Sequence, residues 1–271
     1  MSRQRVFTFV VAVNNKKVFQ ENFLASPCLR EPHRHEILVQ ENTSSATKVF
    51  NSALERAKND LVVFVHQDMF FPDNWLSELN RSLDILERQD PNWGVLGCYG
   101  VTQGNEGHGY LYSPGREFLG KPFEKPRPVQ TLDEIVLILR RSSGLKFNES
   151  LTGFHLYGPD ICMVAAENGL QSYAISAFSI HNAQLNLILP GEFYRAYKEF
   201  KRIWRRHLPV QTPCIRVTRF DMPMRLRQLR EAYLRFVSRK QYGVTRVQDP
   251  SALLDQIQDQ VLETATEARA N

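Results

Sequence analysis

At 271 residues, with 42% hydrophobic and 23% charged residues, the chain is long enough to bury a large core and has the composition of an ordinary soluble globular protein. Its cysteines, Cys28, Cys98, Cys162 and Cys214, stand far apart with no CxxC spacing, which argues against a zinc knuckle or a disulfide framework and fits a reducing compartment. The net charge of +5 is uneven: from Arg195 to Lys240 fourteen Lys and Arg face Glu199, Asp221 and Glu231, about +11, which leaves about −6 on the rest.

The N-terminus MSRQRVFTFVVAV has a basic start and a short apolar run. Polar Asn14-Asn15-Lys16-Lys17 follows instead of a small-residue cleavage site, so a strand over Val6 to Val13 is expected rather than a signal peptide. A helix is expected around Val18 to Ala25 and a second strand over Glu36 to Gln40, ending at Glu41-Asn42-Thr43. Ser44 or Ser45 is placed to cap the next helix, whose Val49, Phe50, Ala53, Leu54 and Ala57 form one apolar stripe.

The stretch DLVVFVHQDMFFP, Asp60 to Pro72, organises the chain. Leu61 to Val65 is a β-branched apolar run of the kind that makes a buried central strand, and it ends at His66-Gln67-Asp68. A carboxylate beside such a strand is costly unless hydrated, paired or bound to a cation. His66 and Asp68 are two residues apart, so on extended backbone both leave the same face, a pairing suited to a cation that bridges phosphates. The plain alternative, that Asp68 only caps the next element, is weakened by Asp73, a better cap for the helix expected over Asp73 to Arg88.

Gly94 to Val101 reads as another strand, and the Gly- and Pro-rich Thr102 to Pro128 as a functional loop or lid. Val129 to Arg141 returns to a strand pattern with Asp133-Glu134 inside it. Pro159 opens a helix to Glu167 that Gly169 stops, and Ser172 to Ile180 is a strand ending in His181-Asn182. Beyond Pro190 the chain is basic, aromatic and helical to His207, and helical again from Met224 to about Arg239; Pro250 to Arg269 is a helix or a frayed tail. Alternating strands and helices predict an α/β layer fold with a largely parallel sheet, whose ligands bind beyond the carboxyl ends of the strands. Asn14, Glu41 and His66-Gln67-Asp68 all fall at such ends.

The order VVAVNN, ILVQEN, VVFVHQDMFFPDNW, LDEIVLILRR, FHLYGPDICMVA and SIHN resembles the GT-A-fold glycosyltransferases of family two, and within them the subgroup whose acidic motif reads HQD. The resemblance covers about residues 6–190 and implies a catalytic domain over 1–190 with a mixed, largely parallel sheet flanked by helices. A basic, mainly helical extension over 191–271 completes the chain. It also implies an enzyme, a hexosyltransferase-type inverting transferase. The resemblance further implies a nucleoside-diphosphate sugar as donor, Mn2+ or Mg2+ as cofactor, and a glycan or a lipid-linked molecule as acceptor. By the same resemblance Asp68 stands where the family's DXD motif holds the metal, and His181 matches a third metal-site histidine; His66 replaces the first acid, a poorer ligand for Mg2+ that either touches the ribose or tilts the preference toward Mn2+. Glu41 and Asn14 match residues that hold the nucleotide. Asp160 is the expected base; the family's acid two positions earlier is Gly158 here, which leaves Asp133 and Glu134 as alternatives.

Three other classes fit less well. A sugar nucleotidyltransferase needs a glycine-rich phosphate loop after the first strand, and Asn14-Asn15-Lys16-Lys17 has no glycine. A dinucleotide oxidoreductase needs GxGxxG there. Nucleic-acid binding by Arg195 to Lys240, with Tyr194, Tyr197, Phe200 and Trp204, competes with the simpler reading that these aromatics pack on the body. The cysteine usage predicts a cytoplasmic protein, and the charge split predicts reversible, peripheral binding at an anionic inner membrane face through Arg202, Arg205, Arg206, Arg225, Arg227 and Arg230.

Overall fold

Apolar residues of period two divide the main sheet into two packed faces. The structure, a computed structural model, describes residues 5–30, 32–184, 188–238 and 245–270, with no side-chain detail at 238 and 265–270. In β1 (Phe7–Val13) the side chains of Phe7, Phe9, Val11 and Val13 enter one hydrophobic cluster and Val10 the other. After α1 (Lys16–Glu21), β2 (Glu36–Glu41) and α2 (Ala46–Arg56), β3 (Leu61–His66) repeats the division, with Val63 and Val65 on one side and Val62 and Phe64 on the other. The two-residue β4 (Met69–Phe70) leads to α3 (Trp75–Gln89), which buries Leu79, Leu83 and Leu86 on one stripe, each contributing roughly 1.5–3 kcal/mol relative to exposure. Its cap position falls at Asn74 and not at the expected Asp73.

The chain continues through β5 (Val95–Gly97), β6 (Tyr99–Val101), β7 (Gly107–Ser113), β8 (Glu117–Lys121), β9 (Arg127–Val129), β10 (Thr131–Leu132) and β11 (Val136–Arg140). Then come α4 (Tyr157–Glu167), β12 (Ser172–Ala174) and β13 (Ser179–His181). The larger sheet has the order β2-β1-β3-β11-β5-β12-β9. Its strands β2, β1, β3, β5 and β12 run one way and β11 and β9 the other, which is the expected mixed, largely parallel α/β arrangement. A second sheet, in the order β10-β6-β7-β13-β4 with β8 on β7, stacks no new domain onto the first but shares its chain segments.

Two expectations change here. The segments 94–101 and 172–180 are not single strands, because each leaves one sheet and enters the other: β5 to β6, and β12 to β13. The stretch 102–128 is not a lid, since β7 and β8 form a hairpin within the second sheet. Its glycines permit close strand approach. A Cβ on Gly109 would lie 2.3 Å from the Cys98 carbonyl oxygen, and one on Gly120 would lie 2.1 Å from that of Gly109.

The late segment packs onto the body before it leaves it. In α5 (Gly191–Ile203) the residues Phe193, Ala196, Tyr197 and Phe200 lie on one stripe and join the cluster that holds Ile161, Cys162 and Ala165 of α4. A short hairpin of β14 (Val210–Gln211) and β15 (Arg216–Val217) precedes α6 (Met222–Ser238); the end expected at Arg239 lies outside the described residues. Pro250 onward is a helix, α7 (Pro250–Ala270). No helix among the described residues is long and apolar enough to cross a membrane.

Candidate active site

The site forms where the two sheets part. Parallel pairing sets Ala12 opposite His66 and Val13 opposite Glu41, so the ends of β1, β2 and β3 form one rim. His66 is the last residue of β3, and its backbone N–H donates to the Ile135 carbonyl at 3.0 Å. Gln67 and Asp68 then turn the chain into β4. β4 pairs with β13 antiparallel, His181 opposite Met69, and the Asn182 N–H donates to the Asp68 carbonyl at 2.9 Å. This pairing brings a histidine from 113 residues downstream beside Asp68, with His181 Nε2 at 3.5 Å from Asp68 Oδ1. One ring nitrogen from each of His66 and His181 and one oxygen of Asp68 lie within 4.8 Å of one another.

The electrostatics suit a cation. Burial alone would raise the Asp68 carboxyl, but the His181 charge and hydrogen bond, His66 and Arg246 outweigh it and hold it well below the usual carboxylate range. The carboxylate is therefore ionised throughout the neutral range. For His66 burial dominates and lowers the imidazole despite the Asp68 charge, which leaves it neutral and able to ligate. Two imidazoles and one carboxylate form a borderline donor set that fits Mn2+ better than Mg2+. His66 Nε2 shares a hydrogen bond of 3.0 Å with the Tyr157 hydroxyl, which also donates to the Glu134 carbonyl at 3.2 Å. That contact fixes the ring and leaves Nδ1 for a ligand.

The other rim residues are placed by neighbours. Gln67 holds the end of β1: its Oε1 accepts from the Asn14 and Asn15 N–H groups at 3.1 and 3.0 Å, and its Nε2 donates to Asn14 Oδ1. Glu41 stands at the end of β2, half-exposed, with Lys16 Nζ at 3.0 Å. Asn14 and Glu41 thus share the rim with the His66–Asp68 turn, as expected from the strand ends.

Asp160 is not brought to this rim. Its side chain is fully buried, Oδ1 accepts from the Trp204 indole N–H at 2.7 Å, and Oδ2 faces the Asn148 N–H at 3.4 Å. Burial pushes its pKa up to about 7 against the lowering effect of those two bonds. The carboxyl is a core element that ties α4 to the end of α5. Asp133 and Glu134 do reach the rim, in the bend between β10 and β11 beside His66. Burial, with the Asp133 charge second, pushes the Glu134 carboxyl up to about 8. The sequence departure at Gly158 has a structural counterpart: a Cβ there would meet the Leu132 carbonyl oxygen at 2.9 Å and Glu134 Cγ at 3.2 Å. The Glu134 side chain covers the space into which a residue at 158 would project.

Arg246 is a site residue that the sequence did not suggest. Its guanidinium bonds Asp68 Oδ2 at 3.0 Å and the Asn182 carbonyl at 2.7 Å. Asn182 fixes this segment by exchanging two bonds of 2.9 Å with Val247. Tyr157 was equally silent, being one aromatic among many at a helix start. The only signal was the Asn of SIHN, a buried amide that needs partners.

Residues 8–179 match the model of a family described as "Glycosyltransferase like family". A curated protein of Fuscovulum blasticum, "ATP synthase subunits region ORF 6", is 30% identical over 161 residues, which cover 58% of this chain and 64% of that protein. The chain thus spans a little under two thirds of that relative's length. Among solved structures, S. aureus TarS 1–349 in complex with UDP-GlcNAc is 14% identical, with a TM-score of 0.47 over 76% of this chain and 67% of that one. The mannosyltransferase PcManGT from Pyrobaculum calidifontis, in complex with GDP-Man and Mn2+, is 13% identical, with a TM-score of 0.44 over 87% and 71%.

Proposed function

The chain belongs to the glycosyltransferase-like family, and on that footing we propose that it transfers a sugar from a nucleoside-diphosphate sugar to a hydroxyl of a glycan or lipid-linked acceptor. The observation that carries this reading is the convergence of His66, Asp68 and His181 within 4.8 Å at the carboxyl rim of the parallel strands. We assign the chain to the HQD branch of family two, with residues 1–190 as its catalytic part and 191–271 as a helical extension whose α5 shares the body's core. His66, Asp68 and His181 would hold Mn2+ or Mg2+, which supplies neutralising charge to the departing diphosphate. Asn14 and Glu41 position the nucleoside along the rim.

The reaction is read as a single inverting displacement, in which the acceptor oxygen attacks the anomeric carbon as a carboxylate takes its proton. Glu134 fills that role better than Asp160. It stands at the rim in the space left by Gly158, with a pKa near the working range, whereas Asp160 is sealed behind Trp204. Tyr157 orients His66. The four free thiols and the basic late segment support work in the cytoplasm, against an anionic membrane face where lipid-linked acceptors collect.

The test is a thermal-shift panel of UDP, GDP and their sugars with and without MnCl2. One nucleotide should raise the melting temperature further when Mn2+ is present, and Asp68→Asn should abolish that metal-dependent increment. Glu134→Gln should keep donor binding and lose turnover by roughly 10²–10⁴, while Asp160→Asn keeps most of its activity. The reverse pattern in the two variants would return the base to Asp160. An unchanged metal effect in Asp68→Asn would remove the cation from the His66–Asp68–His181 cluster.

A further inference from the structure

Helix α6 has two opposed faces, and one of them packs against the body among the described residues. Met224, Arg227, Glu231 and Leu234 recur at steps of three and four and turn toward the body. Met224 and Glu231 are buried, and Glu231 accepts from the Tyr194 hydroxyl and from Arg227 Nε at 3.1 Å. Arg227 also reaches the Cys214 carbonyl at 3.3 Å, so it braces the helix and is not available for docking, contrary to the expectation from charge alone. The opposite face carries Met222, Leu226, Leu229, Tyr233, Phe236 and Val237, which are 58–85% exposed. At 100° per residue these six fall within an arc of about 100°, a complete apolar stripe turned to solvent.

Positive charge surrounds that stripe. Arg225 and Arg230, both exposed, border it on either side. Beside the first turn of α6 a cavity of about 830 Å³ is lined by Lys198, Arg202, Arg205, Arg206, Arg219 and Phe220, with one acid, Asp221, that pairs with Lys201; Phe220 is itself 81% exposed. Arg202, Arg205, Arg206, Arg219 and Arg230 make no ion pair among the described residues.

We propose that α6 docks flat on an anionic lipid bilayer, with its apolar stripe sunk between headgroups and its arginines set against the phosphates. An exposed stripe flanked by arginines has the chemistry of an interfacial helix, in which apolar burial and attraction to anionic lipid add. A second copy of the chain is a poorer occupant, because an isologous contact through this face would bring two surfaces of the same positive sign together. A nucleic acid would meet the arginines but leave six large apolar side chains in water. The proposal gives the basic segment a bound orientation and adds insertion to the salt-dependent attraction expected from charge alone.

The experiment is co-sedimentation of the full chain with phosphatidylcholine vesicles, with and without phosphatidylglycerol, at low and high salt. Binding should favour the anionic vesicles by roughly ten-fold or more and weaken with salt over a Debye length of about 8–10 Å. Leu226→Gln/Leu229→Gln/Phe236→Gln should lose that binding with its melting temperature unchanged, since these side chains are exposed. Arg202→Gln/Arg205→Gln/Arg206→Gln should bind more weakly and with less salt dependence. Equal binding to neutral vesicles, or unchanged binding by the stripe variant, would overturn the proposal. A wild-type dimer in sedimentation velocity that the stripe variant dissolves would also overturn it and assign the face to a second copy. The His66–Asp68–His181 rim and this face share no residue, so a failed vesicle assay leaves the transferase reading intact, and loss of turnover leaves the attachment measurable.

Discussion

A carboxyl sealed in a core responds to pH differently from one on a rim. The Asp160 pKa of about 7 in the folded chain lies above its unfolded value of about 3.9. The folded state therefore binds this proton more tightly. Its stabilising contribution is complete below pH about 4 and is lost as pH rises through about 7. Asp160→Asn keeps an oxygen for the Trp204 indole and removes the ionisation. The stability of wild type relative to this variant should therefore fall steadily across that window, measured by urea unfolding at stepped pH; a flat difference would mean that the carboxyl is solvated. Asp160 also marks what sequence reading misses. An acid in a first helical turn carries the same signature whether it faces solvent, substrate or a tryptophan 44 residues on. His66 and Asp68 were legible because they terminate a strand whose burial pattern is unmistakable. Arg246 was not, since its contact with Asp68 spans 178 residues and no local rule selects it.

At the level of elements, the second sheet depends on backbone close approach. Gly120 has φ +76° and would place a Cβ 2.1 Å from the Gly109 carbonyl oxygen. Gly120→Ala should cost about 1–2 kcal/mol for the left-handed backbone alone, with the clash in addition. The outcome is read as a lowered urea midpoint and as early amide exchange in β7 and β8, with β1 to β3 still protected. The first three strands were legible as long β-branched runs. The second sheet was not, because β4, β6, β10 and β13 are two or three residues long, too short to show a period. Two of the glycines that suggested a loop at 102–128, Gly109 and Gly120, are those that let strands touch. Amphipathic α2 and α3 were legible by spacing alone, and α6 shows the limit of that method, since the face that meets the body carries Arg227 and Glu231 and the apolar stripe is the exposed one.

For the molecule as a whole, the last helix covers the second sheet. Ile257 of α7 lies in a cluster with Phe70, Tyr110, Phe178 and Ile180, with Leu253, Leu254 and Val261 packed around it. The Tyr110 hydroxyl bonds Thr264 Oγ1. Ile257→Asp places a charge in that cluster and should free α7 together with the Arg246 segment that leads into it. Limited proteolysis should then cut within 245–264 while the body remains whole; if the cut sites match wild type, α7 adheres through contacts other than this cluster. The same arrangement has a consequence during synthesis. Phe70 leaves the ribosome 187 residues before Ile257, which at about 5–20 residues per second is a delay of roughly 10–40 s. The patch of Phe70, Tyr110 and Phe178 is complete once Phe178 is made, 79 residues before Ile257, so it stays uncovered for roughly 4–16 s of that delay, while Asp68 waits 178 residues for its guanidinium. The nascent chain therefore presents an uncovered aromatic patch to the cell, and chaperone demand should track the speed at which the codons for residues 178–257 are read.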